Sequence, residues 1–469
     1  MPKLVILWTD ALIFLLIALS IVFGVLAARK EHLRAPWRRV ARSRVGMGAL
    51  VILSAYVLIG VVDSVHYNPA LPEVQQGGAT HSSEVLSLLD KLLTPLRERS
   101  EKTYSAPLAT HLYAKEAIEL PDGHTVRDYP RLRHGGAHLA DPAKDWAGDI
   151  AMTSLIGAAQ GLITWAILAA LLAALLARRA KCGFAEQLQR IRTGTTEVPW
   201  SVVLLVLAIL LLVAFIAGNL GLKYHLLGTD KVGDDVFYQS LKSIRTGLMI
   251  GTLTTLIMLP AAVLLGIMAG YFRGWVDDVI QYLYTTLNSI PGVLLIAAAI
   301  LMLHVYMNEH ADEFTSLVQR ADLRLLFLCV ILGITSWTGL CRLLRGEALK
   351  LRELDYVQAA QAFGVGHFTI ITRHILPNVL HIVMISVVLD FSGLVLAEAV
   401  LSYVNIGVDP TMNSWGNMIN SARLEMAREP IVWWSLVAAL VFMFTLVLAA
   451  NLFSDVVRDA FDPRLRTTR

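Results

Sequence analysis

Apolar runs long enough to cross a bilayer recur along most of this chain, and no water-soluble fold buries so many. A hydrocarbon core of about 30 Å takes about 20 apolar residues per helix. Such stretches occupy Val5–Ala27, Met47–Val65, Ala151–Ala177, Ser201–Leu222, Thr246–Gly270, Val279–His304, Leu325–Leu343, Val379–Val400 and Ile431–Phe453. The expected fold class is therefore all-α integral membrane, a polytopic bundle of about nine transmembrane helices. Of 469 residues, 56% are hydrophobic and 16% charged, which excludes a soluble globular chain of this length. A net charge of +3 gives no footprint for nucleic acid. The first run has the length of a signal peptide. Asp10 lies early in it, only Lys3 precedes it and no cleavage site follows, so it is read as a true span.

Basic residues orient these spans. Arg29, Lys30, Arg34, Arg38, Arg39, Arg42 and Arg44 follow the first, and Arg178, Arg179, Lys181, Arg190 and Arg192 the third. Arg345, Lys350, Arg352 and Arg373 follow the seventh, and Arg458, Arg464, Arg466 and Arg469 end the chain. A periplasmic N-terminus and a cytoplasmic C-terminus put all four clusters inside. Cys182, Cys329 and Cys341 have no metal-ligand spacing. Cys329 and Cys341 share one apolar run and read as packing residues.

One charged segment, Arg345–Asn378, is wedged between apolar runs. Leu351, Leu354 and Val357 recur at helical spacing among Lys350, Arg352, Glu353 and Asp355. Ala359 and Ala360 then leave little side-chain bulk, and Gly364 suits a helix end. A second helical stretch, His367–Leu376, is expected to stop at Pro377. Helix, glycine joint and helix make a rigid projection suited to docking. An ordinary loop carrying two amphipathic helices fits the same pattern.

This segment resembles the EAA loop in permease subunits of binding-protein-dependent ABC importers. There Glu-Ala-Ala is followed after three residues by Gly, and further on by Ile and Leu-Pro. Ala359, Ala360, Gly364, Leu376 and Pro377 match, while Gln358 replaces the Glu. Ile375 stands one place later than usual, with His374 in the expected position. The run Arg-His-Ile-Leu-Pro-Asn resembles the dipeptide/oligopeptide/nickel branch. The resemblance implies that a loop over 344–378, with Glu347, Tyr356, Gln358, Ala359, Ala360, Gly364, Leu376 and Pro377, docks on an ATPase subunit.

The resemblance continues elsewhere. Trp37–Arg44 and the following span resemble the family's first helix. His225–Asp230 with Gly233 and Asp235 resemble its external "GTD..GRD" loop, marking Gly228, Thr229, Asp230, Gly233 and Asp235, with Asp234 in place of Arg. Asn288–Pro291 resembles its "SIP" segment. Glu398, Leu401–Tyr403, Gly407 and Ser414–Met418, including Trp415, resemble its late external loop. The implied layout is an extra helix and basic loop (1–35), a first core helix (36–65), a periplasmic insert (66–150), an extra helix pair (151–224) and a permease core of type-I importer fold (225–465).

The insert is polar. Ser82–Glu98 has an amphipathic helical pattern with Ser83 as a candidate N-cap, and Pro95 kinks or ends it. Pro107, Pro121, Asp122-Gly123, Pro130, Gly135-Gly136 and Pro142 read as turns. His111, His124, His134 and His138 are either exposed or a metal site, though His134 and His138 flank the Gly-Gly turn.

Polar residues inside spans are functional candidates. Asp390 is either a carboxylate lining the translocation path or a hydrogen-bonded packing group. Glu398, near the external end of the same helix, is expected to reach water. Ser386, Ser392 and the Gly266/Gly270 pair suit helix contacts. Pro260 and Pro291 are expected to break or kink their spans. Trp415 is either a substrate- or carrier-contacting element or an interfacial anchor.

No Gly-x-x-x-x-Gly-Lys-Ser/Thr, His-Glu-x-x-His, Gly-x-Ser-x-Gly or Cys-x-x-Cys occurs, and no catalytic, cofactor or metal constellation emerges. The resemblance implies a transport subunit, not an enzyme, in a complex. Its partners would be a second permease subunit, two ATPase subunits that hold ATP and Mg, a periplasmic solute-binding protein and the lipid bilayer. Cargo would be peptides or similar solutes, moved by alternating access. Two rival readings are a stand-alone ion-coupled carrier using Asp390, and a membrane enzyme or assembly scaffold acting through the insert.

Overall fold

The computed structural model describes residues 3–28, 31–70, 84–119, 125–310 and 316–461. The N-terminal elements are β1 (Lys3–Val5), α1 (Trp8–Ala28), α2 (Glu31–Arg42) and α3 (Arg44–Asp63). Next come β2 (His66–Asn68), β3 (Leu86–Ser87), α4 (Leu88–Leu92), α5 (Thr94–Arg97), β4 (Glu116–Glu119) and β5 (Thr125–Asp128). Helices α6 (Pro142–Ala180), α7 (Phe184–Thr193), α8 (Trp200–Gly221), α9 (Val236–Phe272), α10 (Gly274–Ser289) and α11 (Gly292–Glu309) follow. The chain continues with α12 (Leu317–Ser336), α13 (Thr338–Arg352), α14 (Asp355–Ala362), α15 (His367–Ile370), a π-turn over Ile371–Ile375, α16 (Leu376–Tyr403), α17 (Trp415–Glu425) and α18 (Trp434–Phe461).

Among the described residues, eight helical stretches are long and apolar enough to cross a membrane: α3, α6, α8, α9, α11, α12–α13, α15–α16 and α18. The first expected span falls on α1, whose described apolar stretch, Trp8–Val22, is shorter than those eight. The sixth needs correction. The expected run Val279–His304 is not one helix. Pro291 has no N–H to donate, and α10 ends at Ser289, followed by Ile290 in extended conformation (ψ 130°) before α11 begins. Only α11 qualifies as a span. Pro260, by contrast, lies inside the uninterrupted α9.

Two compact units emerge. One comprises Met1–Val5, Arg38–Thr246 and Asn413–Phe453, the other Ile6–Trp37, Gly247–Met412 and Ser454–Arg469. In the first unit α6 and α8 form a close pair. Asp141 caps α6 by accepting from the Ala143 N–H at 3.2 Å, and Pro142 occupies its first turn. A side chain at Gly157 would place its Cβ 2.8 Å from Ile216 Cα, so only glycine lets the backbones meet. The Trp165 indole donates to the Leu204 carbonyl at 2.7 Å.

The 66–150 segment, expected to be an insert, is not only helix and turns. β1, β2 and β3 form an antiparallel sheet in that order, and β4–β5 form a hairpin. The helix expected over Ser82–Glu98 is instead two short helices behind β3. Ser87, not Ser83, is its cap: Ser87 Oγ accepts from Asp90 N–H at 3.1 Å and Asp90 Oδ2 from Ser87 N–H at 2.8 Å. Lys242 fixes this start by reaching Asp63 at 2.6 Å and Asp90 at 2.9 Å. Pro95 begins α5 rather than ending a helix. Ser82, Ser83, Pro121, Asp122-Gly123, His124, Arg29, Lys30, Arg464, Arg466 and Arg469 lie outside the described residues.

In the second unit, buried side chains from α9, α10, α13, α14 and α15–α16 form one cluster, including Ile267, Leu344, Val357, Ile370 and Val379. Another joins α9, α11, α12 and α16 through Leu253, Ile300, Leu325 and Leu401. Cys329 and Cys341 are both fully buried in these clusters. Gly266 and Gly270 form the expected contact: a Cβ at 270 would lie 2.5 Å from the Arg345 carbonyl oxygen on α13.

Replacing Gly157 with Leu is expected to destabilise the α6–α8 pair by about 1–3 kcal/mol, the usual cost of overpacking. Gly148→Leu, on the same helix with nothing within 4 Å of the added Cβ, is expected to be neutral. Thermal unfolding of the two purified variants in detergent distinguishes them; equal melting temperatures would contradict the tight contact.

Candidate functional site

The charged segment between the seventh and eighth spans is built onto the end of α9 and α10 in the second unit. α13 breaks at Glu353–Leu354, so the expected single helix up to Gly364 is two, α13 and α14. Arg345 binds Asp277 in the first turn of α10 through two parallel bonds, Nε to Oδ1 at 2.6 Å and Nη2 to Oδ2 at 2.7 Å. The guanidinium holds the Asp277 carboxyl below the usual carboxylate range. Arg352 donates to the Tyr271 carbonyl at 2.8 Å, and the Tyr271 hydroxyl meets His367 Nδ1 at 2.8 Å. Arg273 pairs with Glu353.

Beyond these anchors, Val357 is fully buried and fastens α14. Gly364 adopts φ +74° and turns the chain into α15. Tyr271, Phe272, Arg352, Gln361, Gly364 and His367 line a recess of about 370 Å³ beside this joint. Phe363 and Phe368 stand 87% and 80% exposed on either side of the glycine, a large apolar surface for a turn. Gln358 Nε2 donates to the Glu353 carbonyl at 3.3 Å, and Glu347 pairs with Lys350 at 3.2 Å. Ala359 is exposed and Ala360 half-buried, beside exposed Tyr356, whose hydroxyl accepts from Asn378 at 3.2 Å.

Pro377 does not stop the second helix. The Leu376 N–H bonds back five residues to the Ile371 carbonyl, forming a π-turn, and α16 continues to Tyr403 with Pro377 in its first turn. The wider turn accommodates the proline at the point where an α-helical bond would be lost.

The 225–235 loop is a packed corner of the first unit. Gly228 and Gly233 have φ +71° and +88°, and a Cβ at Gly233 would sit 1.9 Å from the Glu101 carbonyl oxygen. Thr229 is fully buried; its Oγ1 donates to the Thr103 carbonyl at 2.9 Å and accepts from Ser105 N–H at 2.7 Å. Asp230 Oδ1 accepts from the Val232 and Asp234 amides, and Asp235 Oδ1 accepts from the Tyr238 N–H at the start of α9. His225, buried, meets Asp235 at 2.8 Å and Glu101 at 3.4 Å. Glu101 also accepts from the Arg133, His134 and Gly135 amides. Asp234 is exposed, so the reversed charge falls on the surface.

Two expectations are corrected. Glu398 does not reach water: it is 1% exposed and accepts from the Ser402 hydroxyl at 2.7 Å. Ser402 Oγ in turn accepts from Val408 N–H at 3.2 Å and thereby holds the loop after α16. Trp415 does not stand at the surface, where an interfacial anchor would lie. It is 1% exposed within the first unit, with its indole donating to the Ser240 carbonyl at 3.2 Å. Asp390 is half-buried beside exposed Leu389 and makes no hydrogen bond to another described residue. Ser386 and Ser392 are buried. His111 and His138 are exposed, and His138 pairs with Asp149 at 2.9 Å.

The sequence reading missed Asp277, Phe363, Phe368, Glu101 and Lys242. For Asp277 a signal existed in the Arg-Gly-Trp-Val-Asp-Asp turn after α9; the others meet their partners only through the fold.

Residues 262–467 match the family described as binding-protein-dependent transport system inner membrane component. The chain is 32% identical over 243 residues to the glutathione transport system permease protein GsiD of Pectobacterium atrosepticum, covering 52% of this chain and 74% of that protein. The chain belongs to this family. The permease is also 29% identical to the dipeptide transport system permease protein DppC of Bacillus subtilis, over 52% of this chain and 69% of that protein. Against the oligopeptide transport system permease protein OppC of Mycobacterium tuberculosis, identity is 30% over 52% of this chain and 78% of that protein. It is a multi-pass protein of the bacterial inner membrane and a transport subunit. The family match contains Arg345, Asp277 and the whole Gly364 joint.

The buried set of His225, Asp235 and Glu101 is expected to make the stability of this corner depend on pH. Burial disfavours charged His225, but the bonds to Asp235 and Glu101 outweigh it and raise its pKa to about 9. Burial also disfavours ionised Glu101, yet His225 and the three amides bring it to about 2. The His225 contribution is complete below its ordinary 6.5 and is lost as pH rises through about 9. That of Glu101 is complete above its ordinary 4.5 and is lost as pH falls through about 2. Limited proteolysis of the 84–150 segment is therefore expected to accelerate from about pH 6.5 to about 9. In His225→Gln, cleavage is expected to be faster at pH 6.5 and nearly flat with pH; an unchanged profile would contradict the triad's role.

Proposed function

We propose that this permease is one membrane-spanning half of an ATP-driven importer for peptides or similar small solutes. The observation that carries the reading is the projection at Gly364, anchored by Arg345–Asp277 and Arg352–Tyr271 and presenting Phe363 and Phe368 beside a recess. In this reading the loop over 344–378, with Glu347, Tyr356, Gln358, Ala359, Ala360, Gly364, Leu376 and Pro377, docks on one of two ATPase subunits. ATP and Mg bind to those partners, a second permease subunit completes the path, and a periplasmic solute-binding protein delivers cargo. Relatives named for glutathione, dipeptides and oligopeptides support a peptide cargo.

The N-terminus is periplasmic and the C-terminus cytoplasmic, which places the four basic clusters and the docking loop on the inner face. ATP closes the ATPase pair, the docked α14–α15 element moves, and α13 and α16 carry the motion into the bundle; hydrolysis resets it. Asp390 lines the path. The core runs over 225–465, preceded by its first helix (36–65), with residues 1–35, the 66–150 insert and the helix pair over 151–224 as additions.

Gly364→Asp tests the joint. The site has open space but needs φ +74°, so the chain is expected to insert normally while the projection is re-aimed. In a reconstituted complex, uptake is expected to fall at least tenfold with ATPase activity retained, and Asp390→Asn is expected to slow uptake without that uncoupling. Wild-type uptake in Gly364→Asp would refute the docking role, and wild-type uptake in Asp390→Asn would remove Asp390 from the path.

A further inference from the structure

The added helix pair carries a surface that the importer reading leaves unused. α7 lies between two membrane-crossing helices: α6 ends at Ala180, α7 runs over Phe184–Thr193, and α8 starts at Trp200. Its two ends are thus tied within a few residues of the bilayer. Its depth is also set. Ile191 is buried against Ala173 of α6 and Leu204 of α8, in the first turns of the latter span, with Trp200 packed beside them. That position is the membrane–water interface, where tryptophan is favoured.

Phe184, Leu188 and Ile191 form one apolar stripe on α7. Ile191 fills the gap between α6 and α8, whereas Phe184 and Leu188 are 47% and 48% exposed. Exposed Arg178, Arg179 and Lys181 close α6 just before α7, and exposed Arg190 and Arg192 lie in its last turn. Carboxylates are few here. Glu186 pairs with Arg190 at 2.6 Å, and Glu197 is drawn to Arg42 at 3.3 Å. Among the described residues, Arg178, Arg179, Lys181 and Arg192 have no carboxylate partner. Lys181 is held in the left-handed region (φ 51°), which ends α6 and turns the chain into α7.

We propose that α7 and these four cations form a binding site for anionic phospholipid, with phosphodiester headgroups on the cations and acyl chains against Phe184 and Leu188. An interfacial helix with a basic rim and an apolar stripe complements a lipid carrying both negative charge and hydrocarbon. A free phosphate ion would use the cations and leave the stripe bare.

The test uses the full-length chain with its co-purifying subunits, reconstituted in nanodiscs of mixed phosphatidylglycerol and phosphatidylcholine. After detergent extraction, the lipid retained by the protein is counted by mass spectrometry. The wild type is expected to retain phosphatidylglycerol several-fold above its share in the disc. Extraction at about 1 M salt, where screening acts over about 3 Å, is expected to lower that excess. The combined Arg178→Gln, Arg179→Gln, Lys181→Gln and Arg192→Gln variant is expected to return to the disc ratio. Leu188→Ser, which leaves every charge in place and so guards against altered insertion, is expected to lower the excess as well. Retention at the disc ratio by the wild type, or an undiminished excess in both variants, overturns the proposal. Displacement of the lipid by inorganic phosphate alone also overturns it, by assigning the site to a free anion.

Discussion

The two-pronged bond between Arg345 and Asp277 is the constraint on which the rest of the second unit depends. It joins α13 to the first turn of α10 at the point where the chain leaves the apolar core. Next to it, Gly270 lets α9 approach the Arg345 carbonyl without an intervening side chain. The pair is part-buried, and its geometry is satisfied on both oxygens. Motion imposed on α14 therefore meets a stiff junction, and Val357, Ile370 and Ile375 extend that junction into the apolar cluster. The π-turn before Pro377 adds continuity, because it carries the surface element into α16 without a break.

The first unit is organised on another principle. Its polar segment buries Leu89, Leu96, Leu112 and Leu132, and buried charges fix its register beside them. Lys242 gathers Asp63 and Asp90, while His225 gathers Asp235 and Glu101. Each set is hydrogen-bonded on several sides, as buried ions must be to persist. Thr229, Gly233 and Asp235 of the 225–235 loop thus hold the stretch of chain at 101–105 against the start of α9. Loss of one member leaves its partners buried and uncompensated, which is costlier than loss of a surface pair.

Much of this was legible in the sequence, for identifiable reasons. Long apolar runs report spans directly, because a bilayer admits little else, and Gly364 and the Gly266/Gly270 pair announced a turn and a contact through residue type alone. Local rules failed where a tertiary partner decided. The Leu-rich pattern over Ser82–Glu98 is helical in period, but the Ser87–Asp90 cap and Lys242 start the helix later. Pro377 reads as a stop unless a π-turn precedes it. Glu398 looks accessible by its place near a helix end, yet Ser402 and the returning loop cover it. Asp277 lies 68 residues from Arg345, and Glu101 lies 124 residues from His225, beyond any periodicity.

The central claim is that force on the Gly364 projection enters the membrane helices through the Arg345–Asp277 junction. The most direct measurement is uptake per ATP hydrolysed in the reconstituted transporter carrying Asp277→Arg, Arg345→Asp or both. Each single reversal is expected to lower that ratio several-fold at comparable ATPase rates, with a substantial part recovered when the charges are exchanged together. Single reversals that transport with the wild-type ratio would contradict it.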